Sequence, residues 1–317
     1  MSLPWLREPW RQISRDYQQG SLAHAHCLPW QADLGIAQFV EEWIKLLLCN
    51  EPNGRACGKC KSCLLYQAKT HPDYYQVASI DGKAISVDQI RELLTKLQQT
   101  PNQAGAKVVW LHDAEKMSVT AANALLKTLE EPTQSTYFIV TPERSERLLP
   151  TLRSRMRLHR LPQPDAELLE QWLAQQLQRV LRADEQQLIR NYPQRPLALL
   201  KWLQSGEYPT HQLSELAQAL LGQQAWPTLA KDNWQSWLLA SEQLLQELMR
   251  VWQNLPQEHL LLANQQQALQ DWLRQHNLCM TKLNEQLHLC YAMRQQVAEQ
   301  SGLNGPLLLQ ELWMRWH

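Results

Sequence analysis

The chain has 317 residues, and its 31 Lys plus Arg balance 31 Asp plus Glu for a formal net charge of zero. That length holds two or three cores at about 100 to 200 residues per domain, and the neutral balance excludes a bulk electrostatic field that would hold nucleic acid. The N-terminal MSLPWLREPWRQ lacks an uninterrupted apolar h-region and no long apolar run follows, so a soluble cytoplasmic protein with no membrane partner is expected.

Up to about residue 160, short apolar strand-like runs alternate with amphipathic helical ones, the pattern of an α/β domain with a parallel sheet. The first such run leads into AHCLPWQADLGIAQF, residues 25–39. A phosphate-binding loop needs G-x-x-x-x-G-K-[ST], so that backbone amides cradle phosphates, Lys neutralises them and the hydroxyl holds Mg²⁺. This stretch offers Gly35 without Gly-Lys-Ser/Thr, and its one charge, Asp33, would repel phosphate.

Next come Cys49, Cys57, Cys60 and Cys63, in CNEPNGRACGKCKSC. Two overlapping C-x-x-C pairs let consecutive thiols reach a common centre, Gly54 and Gly58 supply turns, and Cys49 closes the helical segment FVEEWIKLLL. Four thiolates of this kind hold one structural Zn²⁺ in a closed tetrahedron, with no open position for water or substrate. A redox reading would need only one pair and no convergent quartet. Cys27, Cys279 and Cys290 lie scattered in apolar segments and read as reduced thiols without a function.

Ser86 with Gln89 forms a capping box that opens a helix ending before Pro101. KVVWL (107–111) and TYFIV (136–140) are continuous β-favouring runs of the kind buried on both faces. Between them SVTAANALLKTLEEP places Ala121, Leu125 and Leu129 on one helical stripe, with Pro132 as a stop, so the three segments form one βαβ unit. KVVWLHDAEKM also resembles a Walker B element, in which a strand-end Asp helps hold Mg²⁺ and the next Glu polarises water. Here the pair reads Asp113 then Ala114, and alanine cannot serve as a general base. Taken alone, the segment fits a buried strand ending in a polar turn better than a nucleotide site. Arg153, Arg155, Arg157 and Arg160 form an alternating basic run that on spacing alone fits a solvated strand edge or a weak phosphate contact.

Two prolines in LPQPDAE mark a linker at residues 161–165. Beyond it the chain is rich in Leu and Gln, and helices dominate: a short unit to about 204, then, after SGEYPT, LSELAQALL, WQSWLLASEQLLQELMRVWQ, LLLANQQQALQDWLR and LNEQLHLCYAMRQQVA. The many Trp read as core and interface residues, since no basic groove accompanies them as base stacking would require.

The cysteine quartet, the block NALLKTLEEP (123–132), the segment TLRSRM (151–156) and HPDYYQV (71–77) together resemble the AAA+ clamp-loader family of bacterial DNA polymerase III, and specifically its stator subunits. The likeness is dense from about residue 45 to 160 and continues thereafter only as helical character. The resemblance implies an AAA+ type P-loop-like domain with a parallel sheet over residues 1–161, carrying an inserted zinc module at 49–63. A small helical lid at 162–206 and an all-α collar for oligomerisation at 207–317 would follow. It implies a hetero-pentameric ring with gamma or tau and delta subunits that loads the beta sliding clamp onto primer-template DNA, in which this chain binds structural Zn²⁺ but no ATP. Arg155, with Ser154 beside it, would be an arginine finger given in trans to the neighbouring ATP site; Met156 departs from the Cys usual there. Thr141 falls at a sensor position, where without nucleotide it reads as a capping hydroxyl. Gln194 and Arg195 lie near a second sensor and are assigned no role. The alternatives are an ATP-hydrolysing, gamma-like subunit, disfavoured by the missing Lys and by Ala114, and an independent zinc-containing DNA-binding protein, disfavoured by the neutral charge.

Overall fold

The computed structural model describes residues 3–79, 83–103, 105–133, 135–206, 208–230, 233–299 and 304–316. It comprises two compact units, Met1–Leu168 with Gln194–Leu197, and Leu169–Pro193 with Ala198–His317.

The first unit is built on five parallel strands: β1 (Ala25–Cys27), β2 (Tyr74–Val77), β3 (Lys107–His112), β4 (Thr136–Thr141) and β5 (Arg157–Leu158), in the order β2-β3-β4-β1-β5. Parallel neighbours cannot be joined by hairpins, so each connection crosses over, mostly through helices. These are α1 (Arg7–Gln18) ahead of the sheet, α2 (Ile36–Leu48) and α3 (Lys61–Gln67) between β1 and β2, α4 (Val87–Leu97) before β3, α5 (Val119–Glu130) before β4 and α6 (Pro150–Arg153) before β5. β3 and β4 are buried on both faces, which is why their sequences run apolar without alternation.

Local signals set the helix ends. Ser86 Oγ accepts from Gln89 N–H while the Gln89 side chain accepts from Ser86 N–H, completing the expected capping box. Ser118 Oγ caps α5 through Ala121 N–H, and the helix stops at Glu130, short of Pro132. Ala121, Leu125 and Leu129 face a core shared with Val109, Leu111, Phe138 and Ile90. On α2, Phe39 and Trp43 are fully buried, and Phe39 contributes about 1.5 to 3 kcal/mol by removal from water.

The second unit is helical: α7 (Ala166–Leu177), α8 (Ala183–Asn191), α9 (Pro196–Ser205), α10 (Pro209–Leu220), α11 (Trp234–Trp252), α12 (Gln266–Gln275), α13 (Met280–Glu299) and α14 (Gly305–Met314), of which α7 and α9 begin in the first unit. α11 is its centre, with Trp237, Leu244 and Leu248 packed among Leu216, Leu269 and Trp313. Most Trp are buried as expected, although Trp252 is exposed. One expectation is corrected. The helix in LLLANQQQALQDWLR starts only at Gln266, because Glu247 takes Leu262 N–H at 2.8 Å and a 3₁₀ turn occupies Ala263–Gln265. Cys279 is exposed, whereas Cys27 and Cys290 are buried. The expected boundary residue Glu207 lies outside the described residues.

Candidate metal centre and strand-end site

Cys49 leaves the C-terminus of α2, Cys60 and Cys63 bracket the start of α3, and Cys57 lies on the loop between them. Gly54 and Gly58 take φ of 67° and 74°, which side-chain-bearing residues resist, so the loop can fold back on α2. The four sulfurs lie within 4.8 Å of one another, and Cys49 Sγ is 3.9 Å from Cys60 Sγ. A tetrahedron of thiolates at about 2.3 Å from a metal has edges of about 3.8 Å, whereas a disulfide needs about 2.05 Å. All seven cysteines are free thiols, and among the described residues this is the one group of His, Cys, Asp or Glu that could hold a metal ion.

Backbone amides already serve these sulfurs: Cys57 N–H donates to Cys49 Sγ at 3.2 Å and Cys60 N–H to Cys57 Sγ at 3.3 Å. Burial raises the Cys60 thiol, but donors from Cys63 and Asn50 and from neighbouring thiols outweigh it and bring it down to about 6. Burial pushes Cys63 up to about 12 and raises Cys49. A metal ion would displace those retained protons, since the thiolate is the ligand.

The second region lies at the carboxyl ends of the strands. β1 stands between β4 and β5 while the chain after it departs to β2 at the far edge, and open α/β sheets receive ligands in the crevice at such a reversal. The loop leaving β1, residues 28–35, occupies this position, as do Asp113 after β3 and Thr141 at the end of β4. Several of the polar groups there have partners within the chain, although the buried Glu115 carboxylate beside Ala114 has none among the described residues. Leu28 N–H donates to Val140 O at 2.9 Å, Trp30 N–H to Pro142 O at 2.6 Å and Leu34 N–H to Gln31 O at 3.1 Å. Leu34 O receives the Trp5 indole at 3.0 Å. Gly35, at φ 86°, permits the turn into α2, and a Cβ there would collide with the buried Leu3 side chain.

Asp33 accepts from Arg195 Nε at 2.6 Å, across 162 positions of sequence. Asp113, at φ 48°, accepts from Ser79 Oγ at 2.6 Å and pairs with Lys116 at 3.4 Å; these contacts, led by the Ser79 hydrogen bond, hold its carboxyl below the usual range. Ala114 is buried. Thr141 is no cap: its hydroxyl accepts from Trp110 Nε1 at 3.1 Å and faces Leu111 O at 3.4 Å, bridging β4 to β3. Ser79, Trp5 and Trp110 escaped sequence reasoning, and Arg195 was noted only for its place near a second sensor, because no local pattern reports a partner tens of residues away.

Arg155 lies in the turn between α6 and β5, not in a strand. Its Nε donates to Glu130 Oε1 at 2.7 Å, and Nη1 reaches Thr151 O at 2.8 Å and Ser154 Oγ at 3.4 Å. Ser154 Oγ donates to Thr151 O at 3.1 Å. Met156 is buried behind this turn in the sheet's core. Arg157 alone of the basic run belongs to the edge strand β5, and it pairs with Asp16 of α1 at 2.8 Å.

A family model described as DNA polymerase III, delta subunit, matches residues 5–165. The DNA polymerase III subunit delta' of Escherichia coli is 43% identical over 176 residues, 55% of this chain and 53% of that protein. The same subunit of Haemophilus influenzae is 37% identical over 207 residues, covering 64% and 62%. With these two relatives the chain thus aligns over only part of their length. That of Pseudomonas aeruginosa is 32% identical over 343 aligned positions, 99% of this chain and 96% of the relative. A solved DNA polymerase III gamma subunit-related protein of Thermotoga maritima shares the fold, with a TM-score of 0.50 at 19% identity over 97% of this chain and 98% of its own. With its parallel sheet, its cysteine cluster and a relative matched end to end, the chain belongs to the delta prime subunit family of DNA polymerase III.

Proposed function

We propose that the chain is the stator of the DNA polymerase III clamp loader: an AAA+ subunit that takes part in ATP-driven loading of the sliding clamp without binding or hydrolysing ATP itself. One observation carries the second half of this reading. At the strand ends where a nucleotide would sit, Asp33, Asp113, Thr141 and the amides of Leu28, Trp30 and Leu34 are all satisfied by partners in the chain. An incoming triphosphate would have to break these contacts with no P-loop Lys to neutralise it. Ala114 leaves water without a base.

In this reading the subunit acts on its neighbour. Arg155, flanked by Ser154, is the arginine finger offered in trans to a gamma or tau ATP site, where a permanently charged planar guanidinium stabilises charge developing on the γ-phosphate. Its pair with Glu130 is half exposed, and such pairs are worth about 0 to 1 kcal/mol. Exchange of Glu130 for a phosphate oxygen is therefore inexpensive. The cysteine cluster holds one structural Zn²⁺ through Cys49, Cys57, Cys60 and Cys63, which would cross-link α2 to α3. Residues 1–161 are the AAA+ domain, 162–206 the lid and 207–317 the collar that joins the gamma or tau and delta subunits in a pentameric ring. Among the described residues no helix is long and apolar enough to cross a membrane.

Two measurements together test the proposal: co-purification with gamma, tau and delta subunits, and calorimetric titration of the isolated chain with MgATP. Assembly without ATP binding is expected. A micromolar dissociation constant would make the chain a gamma-like ATPase subunit, and failure to assemble would leave an independent metal-containing protein.

A further inference from the structure

A buried polar chain connects the cysteine cluster to the sheet and takes no part in the strand-end site. Ser62 Oγ donates to Leu48 O at 2.5 Å and lies 2.7 Å from His71 Nε2, and Asp73 N–H donates to His71 Nδ1 at 3.1 Å. Ser62 is 0% exposed, His71 7% and Asp73 1%, so each bond is made away from competing water. The proton positions follow from the partners. A backbone N–H can only donate, which makes Nδ1 the acceptor of a neutral imidazole, places its proton on Nε2 toward Ser62 and leaves the Ser62 proton for the Leu48 carbonyl.

That direction excludes the nucleophilic reading that Ser, His and Asp in contact would invite. The hydroxyl proton points away from the imidazole, which offers Ser62 a donor instead of a base. The Asp73 carboxylate does not orient the ring either, because it accepts from Asn102 N–H at 2.8 Å, Asn102 Nδ2 at 3.0 Å and Gln103 N–H at 2.9 Å.

What the chain does join is informative. Leu48 immediately precedes Cys49 and Ser62 immediately precedes Cys63, so one buried bond fixes the spacing of the backbone points from which these two thiols project. Cys49 and Cys63 are also the two buried members of the quartet, whereas Cys57 and Cys60 are partly exposed. Behind Ser62, His71 and Asp73 anchor the arrangement to the entrance of β2 and to the loop before β3.

We propose that Ser62 and His71 are positioning residues for the metal centre, holding Cys49 and Cys63 at ligand spacing before a metal arrives. This rests on the metal reading of the cysteines. Partners in the shell behind metal ligands are typically worth about 10- to 100-fold in affinity.

The test uses the full-length chain, with Co²⁺ as an optical probe of thiolate ligation and a chelator competition for Zn²⁺. Ser62→Ala should weaken Zn²⁺ binding about tenfold or more while Co²⁺ still gives a four-thiolate spectrum. His71→Gln, which keeps a donor toward Ser62, should lose less affinity than His71→Ala, and this pair decides the matter should Ser62→Ala fail to fold. Leu129→Ala destabilises the same unit from α5, remote from the cluster, and should leave affinity unchanged. Wild-type affinity in Ser62→Ala and in both His71 variants, or an equal loss in Leu129→Ala, overturns the positioning role while the metal reading stands. Wild-type protein that takes up neither metal removes the metal reading itself, and the positioning role with it.

Discussion

Arg155 donates from both Nε and Nη2 to a single oxygen of Glu130, docking its guanidinium on the C-terminal end of α5. A cation there also meets the negative end of the helix dipole. Arg155→Ala should therefore cost less than about 1 kcal/mol of stability, yet lower the clamp-stimulated ATPase of the reconstituted assembly. Fingers given in trans are worth about 10³ to 10⁵ at their own site, and the loss in total turnover is smaller because the other sites still fire. Arg157→Ala is the comparison. It breaks the pair with Asp16, so it should lower the melting temperature but leave ATPase per assembled complex intact. Equal ATPase losses from the two variants would replace the finger by a diffuse basic surface.

Metal removal should act locally. The cluster spans only residues 49–63, between α2 and α3, so stripping the metal should raise amide exchange at the end of α2 and through α3 while β3 and β4 stay protected. Cys60→Ser should reproduce this effect and reduce Zn²⁺ from one equivalent per chain to a weakly held fraction. Exchange patterns identical with and without metal would show that the quartet has no structural role.

The parts of this molecule legible in its sequence are those governed by neighbours along the chain. The runs at 107–111 and 136–140 became β3 and β4, Ser86 and Gln89 made their capping box, and the four cysteines converged, because in each case the partner lies within a few residues or in a motif of fixed spacing. α14 went unread because it opens on Gly305-Pro306, which looks like a turn. In fact Pro306 fits the first turn of a helix, and Gly305 is needed where a Cβ would strike the Trp234 ring. α1 was obscured by its charged face, although Trp10 and Ile13 are buried. The strand-end partners, such as Asp33 with Arg195, have no sequence signal at all.

That pair gives a third prediction. Asp33 and Arg195 are each about a third to two-fifths exposed, so a double-mutant cycle of Asp33→Ala and Arg195→Ala should return a coupling of about 0.5 to 1 kcal/mol. Asp33→Ala should confer no ATP binding, because removing one anion does not create the missing Lys. Micromolar MgATP binding by this single variant would mean that Asp33 alone closes the site.

In the helical unit, Glu185 is almost wholly buried and accepts from Arg179 Nη1 and Nη2 at 2.7 Å each and from Arg182 N–H at 2.9 Å. The Arg179 hydrogen bonds lead in bringing its carboxyl down to about 2, against the opposing effect of burial. A depressed carboxyl gives stability that is fully present above the unfolded value of about 4.3 and lost as pH falls toward 2. Glu185→Gln should lower stability at pH 7 and flatten the acid limb of that unit's unfolding. An acid limb unchanged in the variant would assign the loss to other carboxylates.

The last prediction concerns two histidines on and beside the neighbouring strands β1 and β5. His26 on β1 and His159, just beyond β5, share a bond of 2.8 Å between Nδ1 and Nε2, and the other nitrogen of His26 donates to Ala23 O at 2.7 Å. Trp43 packs on both rings, with centroids 4.5 and 5.5 Å away. Burial, followed by the charge His159 would carry, lowers His26 to about 3. Burial and then Arg157 lower His159 to about 4, with Asp16 opposing. Both rings are therefore neutral in the fold, whereas the unfolded chain takes up protons near pH 6.5. Stability should be complete above that pH and decline below it, down to about pH 4 for His159 and about pH 3 for His26, by up to about 1.4 kcal/mol per pH unit for each ring. Nitrogen-15 NMR should find both imidazoles neutral at pH 5.5, when an exposed histidine is mostly charged. His159→Gln preserves a donor toward His26 Nδ1 and removes one of the two titrations, so it should reduce the pH dependence of unit-one stability between pH 6.5 and 5 by about half. Imidazole titration near pH 6.5 in the folded wild type would show that water reaches the pair and that the acid sensitivity arises elsewhere.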